Sequence, residues 1–116
     1  MKLKLIMAMV EDERTDAVMD AARAKGATGV TVITNVRGEG LKREKTFLGL
    51  DLTGARDVLL FLVAEPRARE ILETIAAAGE FDNEAGSGIA IQIAIEDAVG
   101  LKSQLPTLQH EIEEEV

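Results

Sequence analysis

The sequence predicts one α+β domain in which a four-stranded antiparallel sheet carries two helices on one face. Three observations lead there: the first half of the chain recurs in the second, the hydrophobic period changes inside each half, and a glycine ends each predicted helix. Laying Val10-Glu11-Asp12-Glu13-Arg14 under Val63-Ala64-Glu65-Pro66-Arg67 sets an offset of 53 residues, the separation of Val10 from Val63. The same offset carries Val18 onto Ile71, Met19 onto Leu72, Asp20 onto Glu73, Ala22 onto Ile75 and Gly26 onto Gly79. Each half is then a strand, an amphipathic helix and a returning strand. Two such units in tandem give the order βαββαβ, the ferredoxin-like sandwich.

In the first half, residues 3–10 form the opening strand. Residues 15–25 place Val18, Ala21, Ala22 and Lys25 on one helical stripe, and Gly26 closes the helix. Residues 29–36, rich in β-branched side chains, return as a strand. In the second half, residues 57–63 form a strand, and Pro66 sits in a first helical turn, where a missing N–H leaves no bond unmade. Ala68, Ile71, Leu72, Ile75 and Ala76 form the buried stripe of a helix ending near Gly79, and residues 88–95 form the last strand. After Ile95, Glu96-Asp97-Ala98-Val99 reads as a short edge element. The domain is expected over 1–105, with an acidic tail over 106–116.

A chain of 116 residues holds one domain, and folding alone buries only about 65% of the surface its unfolded form exposes. With Phe47, Phe61 and Phe81 as its only aromatic residues, the core must be built from aliphatic side chains and alanine. Thin aliphatic layers leave apolar faces for neighbouring subunits to cover, so oligomerisation is expected. A formal charge of −8 argues against nucleic acid as a partner, because phosphate-backbone affinity needs clustered Lys and Arg. Without cysteine there are no disulfides or thiolate metal sites. The apolar opening is too short to span a membrane, so no direct membrane insertion and a cytoplasmic location are expected.

The inventory for catalysis is thin, and no enzyme activity is expected. His110 lies in the acidic tail, Ser87 and Ser103 have no histidine nearby in sequence, and Glu11, Asp12 and Glu13 suit the start of a helix through its dipole. Two other segments carry more. Strands 29–36 and 57–63 should pair as a hairpin, yet about twenty residues separate them, against the usual two to five or so. That connection gathers Arg37, Lys42, Arg43 and Lys45 with Gly38 and Gly40 in an otherwise acidic chain, which marks it as functional unless it is a merely solvated loop. Gly86-Ser87-Gly88, before the last strand, can present backbone N–H groups to an anion, although alone it also fits a plain turn.

At Gly29-Val30-Thr31-Val32 followed by Arg37-Gly38-Glu39-Gly40, the sequence resembles the PII family of nitrogen-regulatory signal proteins. There the second strand runs through a similar Thr-Val and Lys/Arg-Gly-x-Gly stretch into a long T-loop. Gly86-Ser87-Gly88 resembles the family's B-loop Gly-Asp-Gly, and Ile95-Glu96-Asp97-Ala98-Val99 is similar to the Val-Glu-Asp-Val-Val that precedes its C-terminal arginines. The resemblance implies a homotrimer with sheets packed around an axis. It implies adenine nucleotide in the clefts between subunits, and a T-loop that docks on a target, a membrane transporter or a metabolic enzyme.

Carried over by position, Thr31 meets the adenine side of the cleft and Val63 lines it. Arg37, Gly38 and Gly40 form the hinge of the T-loop, Gly86, Ser87 and Gly88 cradle phosphate, and Lys102 matches the second phosphate-reaching arginine. Leu41, Lys42, Arg43, Lys45 and Phe47 fall in the partner-binding loop. Ile89 replaces the B-loop lysine and Gly100 the first arginine. Losing two charge-assisted bonds of about 1.5–3 kcal/mol each would weaken a triphosphate by two or more orders of magnitude. The T-loop has no tyrosine or serine to modify, and its lysines and Arg43 folding back would favour AMP, cyclic AMP or bicarbonate over ATP or ADP. No metal is expected. Rival readings are a copper-tolerance-type trimer of the same fold, a small hydrolase or isomerase with Asp12 or Glu65 as base, and an ACT-like amino-acid-binding module.

Overall fold

The computed structural model describes residues 2–36, 46–47, 50–51, 56–84 and 86–100, with strand pairing alone at 46–47 and 50–51. The chain runs β1 (Leu3–Glu11), a 3-10 turn (Asp12–Arg14), α1 (Thr15–Ala24), β2 (Thr31–Val36), β3 (Thr46–Phe47), β4 (Leu50–Asp51), β5 (Arg56–Ala64), α2 (Glu65–Ala78) and β6 (Gly88–Ala94). The main sheet has the order β2-β5-β1-β6 with every pairing antiparallel, the ferredoxin-like topology that the repeat predicts. The hairpin of the two strands flanking the long connection forms as expected, with Thr31 opposite Leu60 and Val36 opposite Arg56 across an irregularity that holds Asn35 at φ 58°. Inside that connection β3 and β4 make a separate two-stranded ribbon, an element the sequence pattern did not signal.

Alternation decides which side of the sheet is covered. Ile6, Ala8 and Val10 of β1 lie opposite Phe61, Leu59 and Asp57 of β5, and this face packs on Val18 and Ala22 of α1 and on Ala68, Ile71 and Ile75 of α2. Complete burial of each such Ile, Val or Phe side chain stabilises by about 1.5–3 kcal/mol. Leu72 and Ala76, also expected on the α2 stripe, are half-buried at its margin. Lys25 differs from expectation: α1 ends at Ala24, so Lys25 is its exposed C-cap and pairs with Glu70 at 3.4 Å. β2 begins at Thr31 instead of residue 29, because the ladder with β5 starts at the Thr31–Leu60 rung. Residues 96–99, expected as an edge element, form neither helix nor strand.

The opposite face of the sheet carries Leu5 and Met7 of β1, Leu60 and Leu62 of β5, and Ile91 and Ile93 of β6, with no helix among the described residues over it. These side chains are half-buried or exposed in the single chain, Ile93 at 39% and Ile33 of β2 at 47%. An aliphatic sheet face this extensive is the leftover surface that composition predicts. Among the described residues no helix is long and apolar enough to cross a membrane.

Candidate ligand-binding site

Four strand ends converge at one end of the sheet. Val10 pairs with both Asp57 and Gly88, and Arg56 pairs with both Glu11 and Val36, so the two bases of the long connection meet the segment that enters β6. Asp57 is fixed from the helix side, where Thr15 Oγ1 donates to Asp57 Oδ2 at 2.6 Å in a buried bond. That bond anchors the first residue of α1 to the start of β5.

Arg56 holds the segment 86–88 from below. Its side chain is 8% exposed; Nη2 donates to the Gly86 carbonyl at 2.8 Å, and Nη1 lies 3.4 Å from the Ser87 carbonyl and 3.5 Å from Glu11 Oε1. Charge-assisted bonds to main-chain carbonyls in a buried setting are strong restraints. Ser87 is fully buried, its hydroxyl donates to the Glu80 carbonyl at 2.9 Å, and its N–H donates to the Glu84 carbonyl at 3.2 Å. Gly86 takes φ +75°, the left-handed conformation that glycine adopts without strain. Gly88 is demanded by packing, since a Cβ there would meet the Phe81 ring and the Met9 carbonyl. The Gly-Ser-Gly sequence therefore forms a rigid turn in which the serine side chain and amide face inward.

Thr31 and Val63 sit elsewhere. Thr31 is exposed and lines an open groove of about 520 Å3 with Thr28, Gly29, Leu5, Leu60 and Leu62, on the uncovered sheet face. The Val63 side chain is 3% exposed, in the core between sheet and helices. Within one chain, the rung of Thr31 with Leu60 is separated along β5 from the rungs that hold Gly88 and Arg56, so the structure does not bring Thr31 and 86–88 into one cavity. Ile89, the second residue of β6, lies opposite Met9 and is half-buried. Arg37, Gly38, Gly40, Leu41, Lys42, Arg43, Lys45 and Lys102 lie outside the described residues, and Phe47 is placed only as a member of β3.

Arg56, Asp57 and Thr15 were missed by the sequence reading. The available signal was an arginine-aspartate pair heading an otherwise aliphatic strand, a polar start with no reason to exist unless both groups find buried partners. A third ionic group stands nearby: Arg14 bridges Glu80 at 2.6 Å and Glu84 at 2.8 Å, and this hydrogen bond from Arg14 holds the Glu80 carboxyl below its ordinary value. Among the described residues no group of three or more His, Cys, Asp or Glu stands together as a metal site.

Compared with known proteins, the chain matches the family model described as "Nitrogen regulatory protein P-II" over residues 3–104, which takes in the whole sheet, both helices and the long connection. No curated protein matches it.

Proposed function

Because the chain belongs to the nitrogen regulatory protein P-II family, we propose that it is a cytoplasmic homotrimeric signal transducer. It binds an adenine nucleotide or related small anion in clefts between subunits, and it regulates a partner transporter or metabolic enzyme through its long connection. The family match over residues 3–104 carries this reading. It makes the chain a PII-like regulatory protein, and the proposed role is regulatory, with no reaction of its own.

Two features support the finer statements. The uncovered aliphatic face, with Met7, Ile91 and Ile93 beyond the Thr31 groove, offers the surface that sheets packed around a threefold axis would bury. Thr31 and the 86–88 segment, apart in one chain, would complete each other only when a neighbouring subunit supplies the second half of the cleft. The groove around Thr31 pairs threonine hydroxyls with leucine side chains, chemistry suited to a flat purine with polar edges. Nucleotide control of a target would then require different affinities for two arrangements of the long connection.

Light scattering together with calorimetric titration of ATP, ADP, AMP and cyclic AMP tests the proposal. A trimer with saturable binding of one of these supports it. A monomer, or a trimer that binds none of them at millimolar concentration, removes the nucleotide-sensing reading.

A further inference from the structure

Among the described residues one glycine answers to no need of the fold. Gly26, Gly86 and Gly100 take positive φ, and Gly79 and Gly88 make room for the Phe81 ring. Gly29 does neither: its φ is not positive, and a Cβ built on it meets no atom of the described residues within 4 Å. Nor does it loosen the chain, since Ala27, 2% exposed, and Val30, packed against the core, fix the segment on either side. Glycine loses more conformational freedom on folding than any other residue, so at such a position it is a cost unless its bareness is itself used. Gly29 is exposed, stands just before the ladder that starts at the Thr31–Leu60 rung, and lines the groove of about 520 Å3 with Leu5, Leu60 and Leu62.

We infer that Gly29 sets the width of this groove for a planar heteroaromatic ring: with no side chain at 29, a flat base can lie between the main chain of residues 28–30 and the leucine floor from β1 and β5. The inference rests on the reading above that the groove receives the base of a nucleotide. A methyl group at 29 would enter space that the described residues leave open, so it obstructs an occupant of the groove and nothing in the single chain. The fold and the ligand therefore respond to the same substitution in opposite ways. Alanine at this φ leaves the folded chain unstrained and removes freedom from the unfolded one, which stabilises, while it narrows the slot that the ring needs. A glycine kept for a turn or for packing within the chain would show the reverse, with stability lost first.

The test titrates ATP, ADP, AMP and cyclic AMP into the full-length parent, Gly29→Ala and Gly29→Val, with circular dichroism melts and light scattering on each protein. For every nucleotide that the parent binds, Gly29→Ala is expected to weaken binding about tenfold and Gly29→Val about a hundredfold, a loss that grows with the side chain. Gly29→Ala should melt no lower than the parent and keep the parent's assembly. Unchanged affinity in both variants overturns the inference. So does a Gly29→Ala protein that melts lower or dissociates, because the bare position would then serve the fold or the contact between subunits. In each of those cases binding by the parent leaves the nucleotide reading standing. A parent that binds none of the four at millimolar concentration removes both.

Discussion

Arg14 and Arg67 hold equivalent places in the internal repeat, and each crosses to the far end of the helix in the other half. Arg14 donates to Glu80 at 2.6 Å, just past α2, while Arg67 donates to the Lys25 carbonyl at 3.1 Å, just past α1. The helices run antiparallel, so a cation at the start of each meets the carbonyl-rich end of its neighbour, where the helix dipole favours positive charge. The clamps are not identical. Arg14 is met by two carboxylates, whereas Arg67 packs its stem against Gly26, at φ +104°, and its Nε has no hydrogen-bond partner among the described residues.

The Arg14 clamp makes stability depend on acid. Glu80 sits below its ordinary value of 4.5 because of the Arg14 hydrogen bond, so its contribution is complete above that value and is lost as the pH falls through the depressed one. Thermal melts from neutral pH down past 4 or so should show the parent losing more stability than Glu80→Gln. Equal pH dependence in the two proteins would contradict the assignment.

Gly88→Ala should destabilise by about 1–3 kcal/mol, because the new methyl group meets the Phe81 ring and the Met9 carbonyl in a packed setting. Urea unfolding measures this. The double variant Gly88→Ala, Phe81→Leu should recover part of the loss, since the two substitutions share one space.

Thr15→Val should cost about 1–3 kcal/mol by leaving the buried Asp57 carboxylate short of its 2.6 Å donor. The bond anchors α1 to β5, so amide exchange in the first turn of α1 should speed up more than exchange in α2.

Much of this fold was legible in the sequence, for a physical reason. Strand alternation and helical stripes report burial directly, and the repeat doubled each signal, so Val10 and Val63 or Val18 and Ile71 both fall in the core. Misplaced boundaries at Lys25 and Gly29 reflect local features that periodicity does not see: where a C-cap falls and which rung starts a ladder. The candidate site was less legible. Gly86-Ser87-Gly88 stood out as a Gly-rich turn, but the roles of Arg56 and Thr15 depend on partners 30 to 42 residues away. Gly88 reads as a backbone-permissive residue in sequence, and in the structure its lack of a side chain makes room for Phe81.

A charge on the uncovered sheet face should break the proposed trimer and spare the fold. Ile93→Asp places a carboxylate on β6 opposite Leu5, on the side away from the helical core and outside the lining of the Thr31 groove. Light scattering should then report a single chain, with a circular dichroism spectrum like that of the parent.

That variant also gives the most direct measurement of the central claim, that ligand binding belongs to the assembly and not to one chain. ATP is titrated into the parent and into Ile93→Asp under the same conditions. The account predicts saturable binding by a trimeric parent and none by the folded monomeric variant. A folded monomer that binds ATP as tightly as the parent would contradict it.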